Sequence, residues 1–306
     1  MKNKKCIVLI SGGLDSLLSL RIMQEQGFKV KGIYFKLPFS KDESDIIKDF
    51  SKKNKFKLKI INCTKGKLLK EYLEVIKKAK HGKGAGVNPC IDCRIFILKK
   101  AKQIANKKNI ELIVTGEVIG ERPMSQMKKS INIIDTETGL RKRILRPLSA
   151  KLLNKTNAEK KGLLNKNKLY TIQGRKRDKQ IKLAKKYKTP IINSGGGCLL
   201  CEKELKNRFK YLLKRGLNKN EIKLINIGRH FIINNSWIIL GRNEKENKII
   251  EKGKKGKKII PKYPAPSAII LDKFNKSIKN KVEDLIKAYS KKGTKKDKEF
   301  FKKYKL

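Results

Sequence analysis

The chain has 306 residues and 39% of them are hydrophobic, enough for two or three small domains with cores of their own. No apolar run reaches the ~18 residues of a membrane span, and the N-terminus MKNKKCIVLI enters a strand-like segment with no signal-peptide pattern. A cytoplasmic protein with no membrane partner is expected. The formal charge of +52, from 79 Lys and Arg against 27 Asp and Glu, favours a polyanion such as nucleic acid. Lys is spread along the whole chain, so compositional bias also accounts for part of that excess.

In chain order, CIVLI at 6–10 reads as a buried strand. Leu17, Leu18, Leu20 and Met23 give 15–26 a helical pattern that Gly27 ends. Strands follow at 29–36, 56–63 and 111–116, with helices at 42–54, 67–79 and about 92–107. The alternation predicts an α/β fold, a doubly wound parallel sheet covered on both faces. Beyond 120 the pattern loosens: INII at 131–134 and ILRPL at 144–148 read as short strands, and 178–187 as a helix. A glycine-rich loop occupies 193–201 and a basic helix 202–215. Residues 222–240 alternate as two strands with a turn at Asn234, Asn235 and Ser236. The Lys-rich remainder holds one helical stretch, VEDLIKAY, and a frayed or disordered tail. The expected domains are 1–150, 151–216 as an extension over the site, 217–274 as a smaller α+β domain, and 275–306 as the tail.

The first strand-to-helix turn reads SGGLDS. Gly12 and Gly13 let a ligand approach the backbone closely, and the amides opening the helix form an anion cradle to which Ser11 and Ser16 add hydroxyls. The lysine of a P-loop is missing, so the turn suits a pyrophosphate better than transfer of a terminal phosphoryl group. Asp15 beside phosphates suggests a bridging Mg²⁺. The plainer alternative is a tight turn whose Asp and Ser cap a helix.

Six cysteines are present. Cys6 and Cys63 lie in strand-like apolar contexts and read as core. Cys90 with Cys93, and Cys198 with Cys201, form two C-x-x-C pairs, which in a cytosolic chain suggest metal or redox chemistry. The first pair opens a helix, whose dipole is expected to favour thiolate.

SGGLDS resembles the signature of the PP-loop ATP pyrophosphatase superfamily. NPCIDCR (88–94), IVTGEVIG (113–120) and GGGCLLC (195–201) resemble, in order and spacing, the tRNA thiouridylases of the 2-thiouridylase and 4-thiouridine synthetase type. The likeness covers roughly residues 5–210. It implies ATP with Mg²⁺ held by Ser11, Gly12, Gly13, Asp15, Ser16, Thr115 and Gly116, with Ile33 to Phe35 near the adenine. It implies Cys93 and Cys198, with Asp15, as the catalytic residues. Glu117 stands where 2-thiouridylases usually carry histidine, and Cys90 and Cys201 are additional to their pattern. ERPMSQ (121–126) and RILRPLSAKLL (143–153) resemble a distinct group of thiouridylase-like sequences.

The resemblance implies an ATP-dependent tRNA sulfurtransferase, with tRNA and a sulfur donor protein or sulfide as partners. Three roles for the thiols stay open. Cys93 and Cys198 could work as a persulfide and its resolving thiol. Cys90, Cys93 and Cys198 could bind a [4Fe–4S] cluster with one iron open, Cys201 being a fourth ligand or a spectator. All four could bind structural Zn²⁺. The cluster is favoured because two adjacent thiols exceed what a persulfide relay needs. A PP-loop enzyme adenylating a small molecule, as amidotransferases or nitrile synthases do, and a non-catalytic RNA-binding protein are the competing functions. GRHFIINNSWIILGRNEKEN (228–247) resembles part of an NFACT-type RNA-binding domain, with Gly241, Arg242, Asn243 and Asn247 matching its ending. RNA contact is expected at Arg229, Arg242 and Asn243, with Phe231 and Trp237 either stacking bases or filling a core.

Overall fold

The computed structural model describes residues 4–191, 197–216, 219–253 and 256–306. The chain divides into two compact units, 1–203 and 204–306. Residues 151–203 thus belong with the first unit, and the basic helix at 206–215 with the second.

The first unit is a five-stranded parallel sheet in the order β3-β2-β1-β4-β5. Its elements are β1 (Lys5–Ile10), α1 (Leu14–Glu25), β2 (Lys29–Lys36), α2 (Ser44–Lys53), β3 (Lys57–Asn62), α3 (Gly66–Lys77), α4 (Cys90–Asn106), β4 (Leu112–Thr115), α5 (Lys128–Thr138), β5 (Ile144–Leu145), α6 (Asn157–Lys160) and α7 (Asp178–Lys186). β1 is central, pairing in parallel with β2 (Ile10 opposite Tyr34) and with β4 (Leu9 opposite Thr115). Both faces of β1 are buried, which is why CIVLI is a continuous apolar run rather than an alternating one. One core joins Cys6, Val8 and Ile10 to Leu17, Leu20, Met23 and Phe50. A second joins Leu14, Leu18 and Ile22 of α1 to Ala184 and Tyr187 at the end of α7. Strand order reverses between β1 and β4, so the crevice at the carboxyl ends of these two strands is the binding position of the architecture. The segment INII departs from the sequence expectation: it lies inside α5, where Ile131 and Ile134 are buried at helical spacing. Four residues are too few to separate a strand from one apolar helical turn.

The second unit contains α8 (Lys206–Arg215), α9 (Lys219–Ile222), β6 (Arg229–Ile233), β7 (Ser236–Leu240), α10 (Glu244–Lys252), β8 (Lys257–Ile259), β9 (Ala268–Ile270), α11 (Lys276–Ala288) and α12 (Lys295–Lys302). Its sheet is antiparallel, in the order β6-β7-β9-β8. The β6–β7 hairpin closes through Asn234 (φ 49°) and Asn235 (φ 59°), a left-handed pair that asparagine tolerates. The stretch IKLINI before it is not strand but α9 and turns. The C-terminal segment is folded: Phe301 packs in the core with Phe231, Ile238 and Leu285, and Ile232 donates its N–H to Tyr304 O at 2.8 Å. Lys-rich composition hid this because only the buried side of each helix is apolar.

The residues singled out in this unit have structural partners. Trp237 and Phe231 are buried in the core. Arg242 donates from Nε to Glu246 at 2.9 Å, and Asn243 Oδ1 caps α10 by accepting the Glu246 N–H at 3.0 Å. A Cβ on Gly241 would lie 2.0 Å from Asn247 Oδ1, which itself accepts the Ser267 N–H at 3.1 Å. The G-R-N-x-x-x-N ending is therefore a clasp between β7, α10 and β9. Arg229 donates to Gly241 O at 3.2 Å, with its guanidinium 5.0 Å from the Tyr289 ring centroid.

His230 is buried, takes the Trp237 Nε1–H at 3.1 Å on Nδ1, and places Nε2 2.8 Å from Ile227 O. Burial, reinforced by the Arg208 charge, pulls its pKa down to about 3. Between that value and its unfolded value of about 6.5, the unfolded chain binds the extra proton, so stability falls as pH falls. We expect the second unit to lose about 2 kcal/mol between pH 7 and pH 5. Trp237, the only tryptophan, reports this by fluorescence in urea titrations. A flat profile over that range would contradict the neutral, buried imidazole.

Candidate active site

The SGGLDS turn leaves β1 at the reversal of strand order. Gly12 has φ +85°, and a Cβ there would lie 2.9 Å from Glu43 Cβ. Ser11 and Ser16 brace the turn: Ser16 Oγ donates to Gly13 O at 2.7 Å and accepts the Ser11 N–H at 3.1 Å. Gly13 precedes α1, and no side chain caps that helix, so its first-turn amides present a partial positive charge to the crevice. Gly116, at the end of β4, packs directly on this helix start: a Cβ there would be 2.4 Å from Ser16 N. Phe35 sits buried at the carboxyl end of β2. Thr115 is buried too, and its Oγ1 turns to Glu117 Oε2 at 3.0 Å.

Asp15 lies in the first turn of α1. Burial raises its pKa, opposed by Arg177, whose Nη2 is 3.8 Å from Oδ2. Glu121 faces it and is likewise raised, first by burial and then by Asp15. Two carboxylates in such proximity, with Asp15 Oδ1 buried and without a hydrogen-bond partner among the described residues, fit a divalent cation.

The two C-x-x-C pairs meet, and the reason is backbone fit. Leu199 N–H donates to Phe39 O at 2.8 Å, and Leu200 O accepts the Val87 N–H at 2.9 Å. Gly86 allows this approach, since a Cβ there would be 2.2 Å from Leu200 O. The 198–201 turn is thereby held over the start of α4. Cys201 contacts both Cys90 and Cys198, and the Tyr72 hydroxyl is 3.3 Å from Cys93 Sγ. Asn88 Nδ2 lies 3.1 Å from Cys90 Sγ and 3.3 Å from Met124 Sδ. Gly195 and Gly196 of the glycine-rich segment lie outside the described residues.

Cys90 and Cys93 are not activated as the helix dipole suggested. Burial pushes Cys93 up, although Tyr72 and Arg94 oppose it. Contact with Cys201, then burial, pushes Cys90 up, and contact with Cys198 pushes Cys201 up. Crowding of thiols in poor solvent outweighs a dipole effect of about 1 kcal/mol. Cys63 is core, as expected, but adjoins Cys93, and burial takes it to about 11. Among the described residues no three His, Cys, Asp or Glu side chains surround one point as metal ligands. The donor set, with Cys201 against Cys90 and Cys198 and with Cys93 one turn along the same helix as Cys90, nevertheless suits a soft metal or an iron–sulfur cluster.

Two bridges join the crevice at the SGGLDS turn to the thiols. Glu117 is buried, 2.9 Å from Arg94 Nε on α4 and accepting from Arg146 Nε at 2.8 Å. Arg146 in turn donates twice to Asp135, at 2.9 and 2.7 Å. The second bridge is 121–124: Glu121 faces Asp15, Met124 meets Asn88, and the Arg122 charge acts on Cys201. The sequence singled out neither Arg94 nor Arg146, Tyr72, Glu121 or Arg177. Arg94 directly follows Cys93, an available signal, whereas Arg177 was lost in the basic run GRKRDK. His81, assigned no role from the sequence, pairs with Glu137 at 2.7 Å.

A family model described as "Thiamine biosynthesis protein (ThiI)" matches residues 2–160. A "Probable tRNA sulfurtransferase" of Alkaliphilus metalliredigens is 29% identical over 150 residues, covering 48% of this chain and 36% of the relative. A "tRNA-specific 2-thiouridylase MnmA" of Buchnera aphidicola subsp. Schizaphis graminum is 30% identical over 227 residues, covering 70% and 58%. A crystal structure of a 4-thiouridine synthetase–RNA complex with bound ATP aligns with a TM-score of 0.43 at 17% identity, covering 72% of this chain and 52% of that one. The chain spans 36% of the length of the first of these curated relatives.

Proposed function

The chain belongs to the ThiI family, and from that premise we propose that it is an ATP-dependent tRNA sulfurtransferase. The observation that carries the proposal is the joining of an uncapped, glycine-lined helix start to four thiols from two remote segments through residues 117 and 121–124.

In this reading the turn 11–16 holds the diphosphate of ATP and Phe35 borders the adenine. A uridine carbonyl oxygen attacks the α-phosphorus and pyrophosphate leaves. Sulfur then replaces the adenylated oxygen and AMP departs, a far better leaving group than a uridine oxygen. Mg²⁺, held by Asp15 and Glu121, would offset charge on the leaving pyrophosphate. Cys93, next to Arg94 and Tyr72, is the thiol best placed to carry a persulfide received from a sulfane-sulfur donor protein. Its outer sulfur attacks the adenylated carbon and displaces AMP. Cys198 then attacks the resulting mixed disulfide, releasing the thiolated base and leaving a Cys93–Cys198 disulfide for an external thiol to reduce. As alternatives to that relay, Cys90, Cys93 and Cys198 would hold a [4Fe–4S] cluster whose fourth iron is open to sulfide, or all four cysteines would hold zinc. The abundant lysines, with Arg229, are proposed to meet the tRNA backbone.

The test is direct. Protein, ATP and undermodified tRNA, supplied either with sulfide or with a persulfide donor and a thiol reductant, are expected to yield a thiolated uridine by nucleoside mass spectrometry. Cys93→Ser is expected to lose that product by about 100-fold or more while still exchanging pyrophosphate with ATP. No thiolated nucleoside from the wild type would overturn the substrate. Iron and zinc analysis after anaerobic purification decides among the thiol roles.

A further inference from the structure

The start of α7 brings two side chains to Asp15 that no motif marks. Arg177, just before the helix, reaches the carboxylate at 3.8 Å. Gln180, one turn on, is fully buried beside it. The segment is pinned: Gly174 N–H donates to Ile119 O at 2.7 Å, and α7 packs on α1 through Ala184 and Tyr187 against Leu14, Leu18 and Ile22. These groups are therefore fixed at the mouth of the SGGLDS turn.

Their hydrogen bonding is incomplete. Asp15 Oδ1, Arg177 Nε and both amide atoms of Gln180 are buried and have no hydrogen-bond partner among the described residues. Buried polar atoms are nearly always paired, so incompletely bonded groups of Arg177 and Gln180 beside the Asp15 carboxylate mark a ligand position. A diphosphate arriving here would face the Asp15 and Glu121 carboxylates and needs cationic donors. The guanidinium fork matches phosphate oxygens in pairs, as a lysine ammonium does not.

We infer that Arg177 and Gln180 are the far wall of the diphosphate site, and that Arg177 shifts its donors from Asp15 to the β- and γ-phosphate oxygens when ATP binds. This rests on the nucleotide reading above and adds a residue that discriminates ATP from AMP. AMP lacks the groups that Arg177 would hold, so it is insensitive to the substitution.

Isothermal titration of the full chain with ATP, AMP and inorganic pyrophosphate tests this. Arg177→Met is expected to weaken ATP and pyrophosphate binding by about 10-fold to 100-fold, with AMP affinity kept within about twofold. Arg177→Lys is expected to recover part of the loss. Unchanged AMP binding also shows that the variant is folded. ATP affinity equal to wild type, or ATP and AMP affinity falling together, would overturn the inference. A wild type that binds neither nucleotide would instead remove the reading it rests on.

Discussion

Gly86→Ala is expected to lower tRNA thiolation by about 100-fold while ATP binding stays within about twofold. The added Cβ would lie 2.2 Å from Leu200 O, a backbone atom already holding the Val87 N–H. Relief needs the 198–201 turn to retreat by roughly 1 Å, and a displacement of that size at reacting groups costs about two orders of magnitude in rate. Cys201 and Cys198 move with the turn, whereas Cys90 and Cys93 stay on α4. The nucleotide turn is untouched, since Gly116 and α1 make no use of Gly86. Product formation by nucleoside mass spectrometry, set beside ATP affinity, separates the two effects. Thiolation within threefold of wild type would show that the second cysteine pair need not meet the first.

Glu117→Ala is expected to destabilise the first unit by about 3–5 kcal/mol, because it leaves the buried Arg146 half-paired and Arg94 without its carboxylate. Urea denaturation followed by circular dichroism measures it. Burial alone would raise the Glu117 carboxyl, but the Arg94 and Arg146 charges hold it below the ordinary value. A depressed folded value means that its contribution is complete above the unfolded pKa of about 4.3 and is lost as pH falls through the folded one. Asp135 behaves oppositely: burial raises it despite the paired Arg146 bonds. The stability gap between wild type and Glu117→Gln is thus expected to shrink below about pH 4. A gap independent of pH, or a variant as stable as wild type, would mean that the network is dispensable.

Local chemistry was legible because it is written in neighbouring residues. The parallel sheet followed from apolar runs alternating with amphipathic stretches, since each strand must bury both faces and each helix one. The turn at the strand-order reversal followed from glycines between the first strand and helix. The ThiI match over 2–160 agrees with the superfamily likeness read from SGGLDS. INII failed because one helical turn and a short strand present the same apolar composition.

The thiol cluster was legible only in part. Two C-x-x-C pairs named the participants, but their meeting depends on Gly86 admitting Leu200 O, a contact between segments more than 100 residues apart. Cys90 is pushed up first by contact with Cys201 and Cys93 first by burial, neither of which sequence spacing carries. By itself the sequence determined which groups could do chemistry: a glycine turn, an aspartate at a helix start and four thiols. The tertiary structure alone decided which charges face them. The partners Glu117–Arg94, Asp15–Arg177 and Asp15–Glu121 are brought together by packing of α4, α7 and the 121–124 segment, and electrostatics depends on distance through space rather than along the chain.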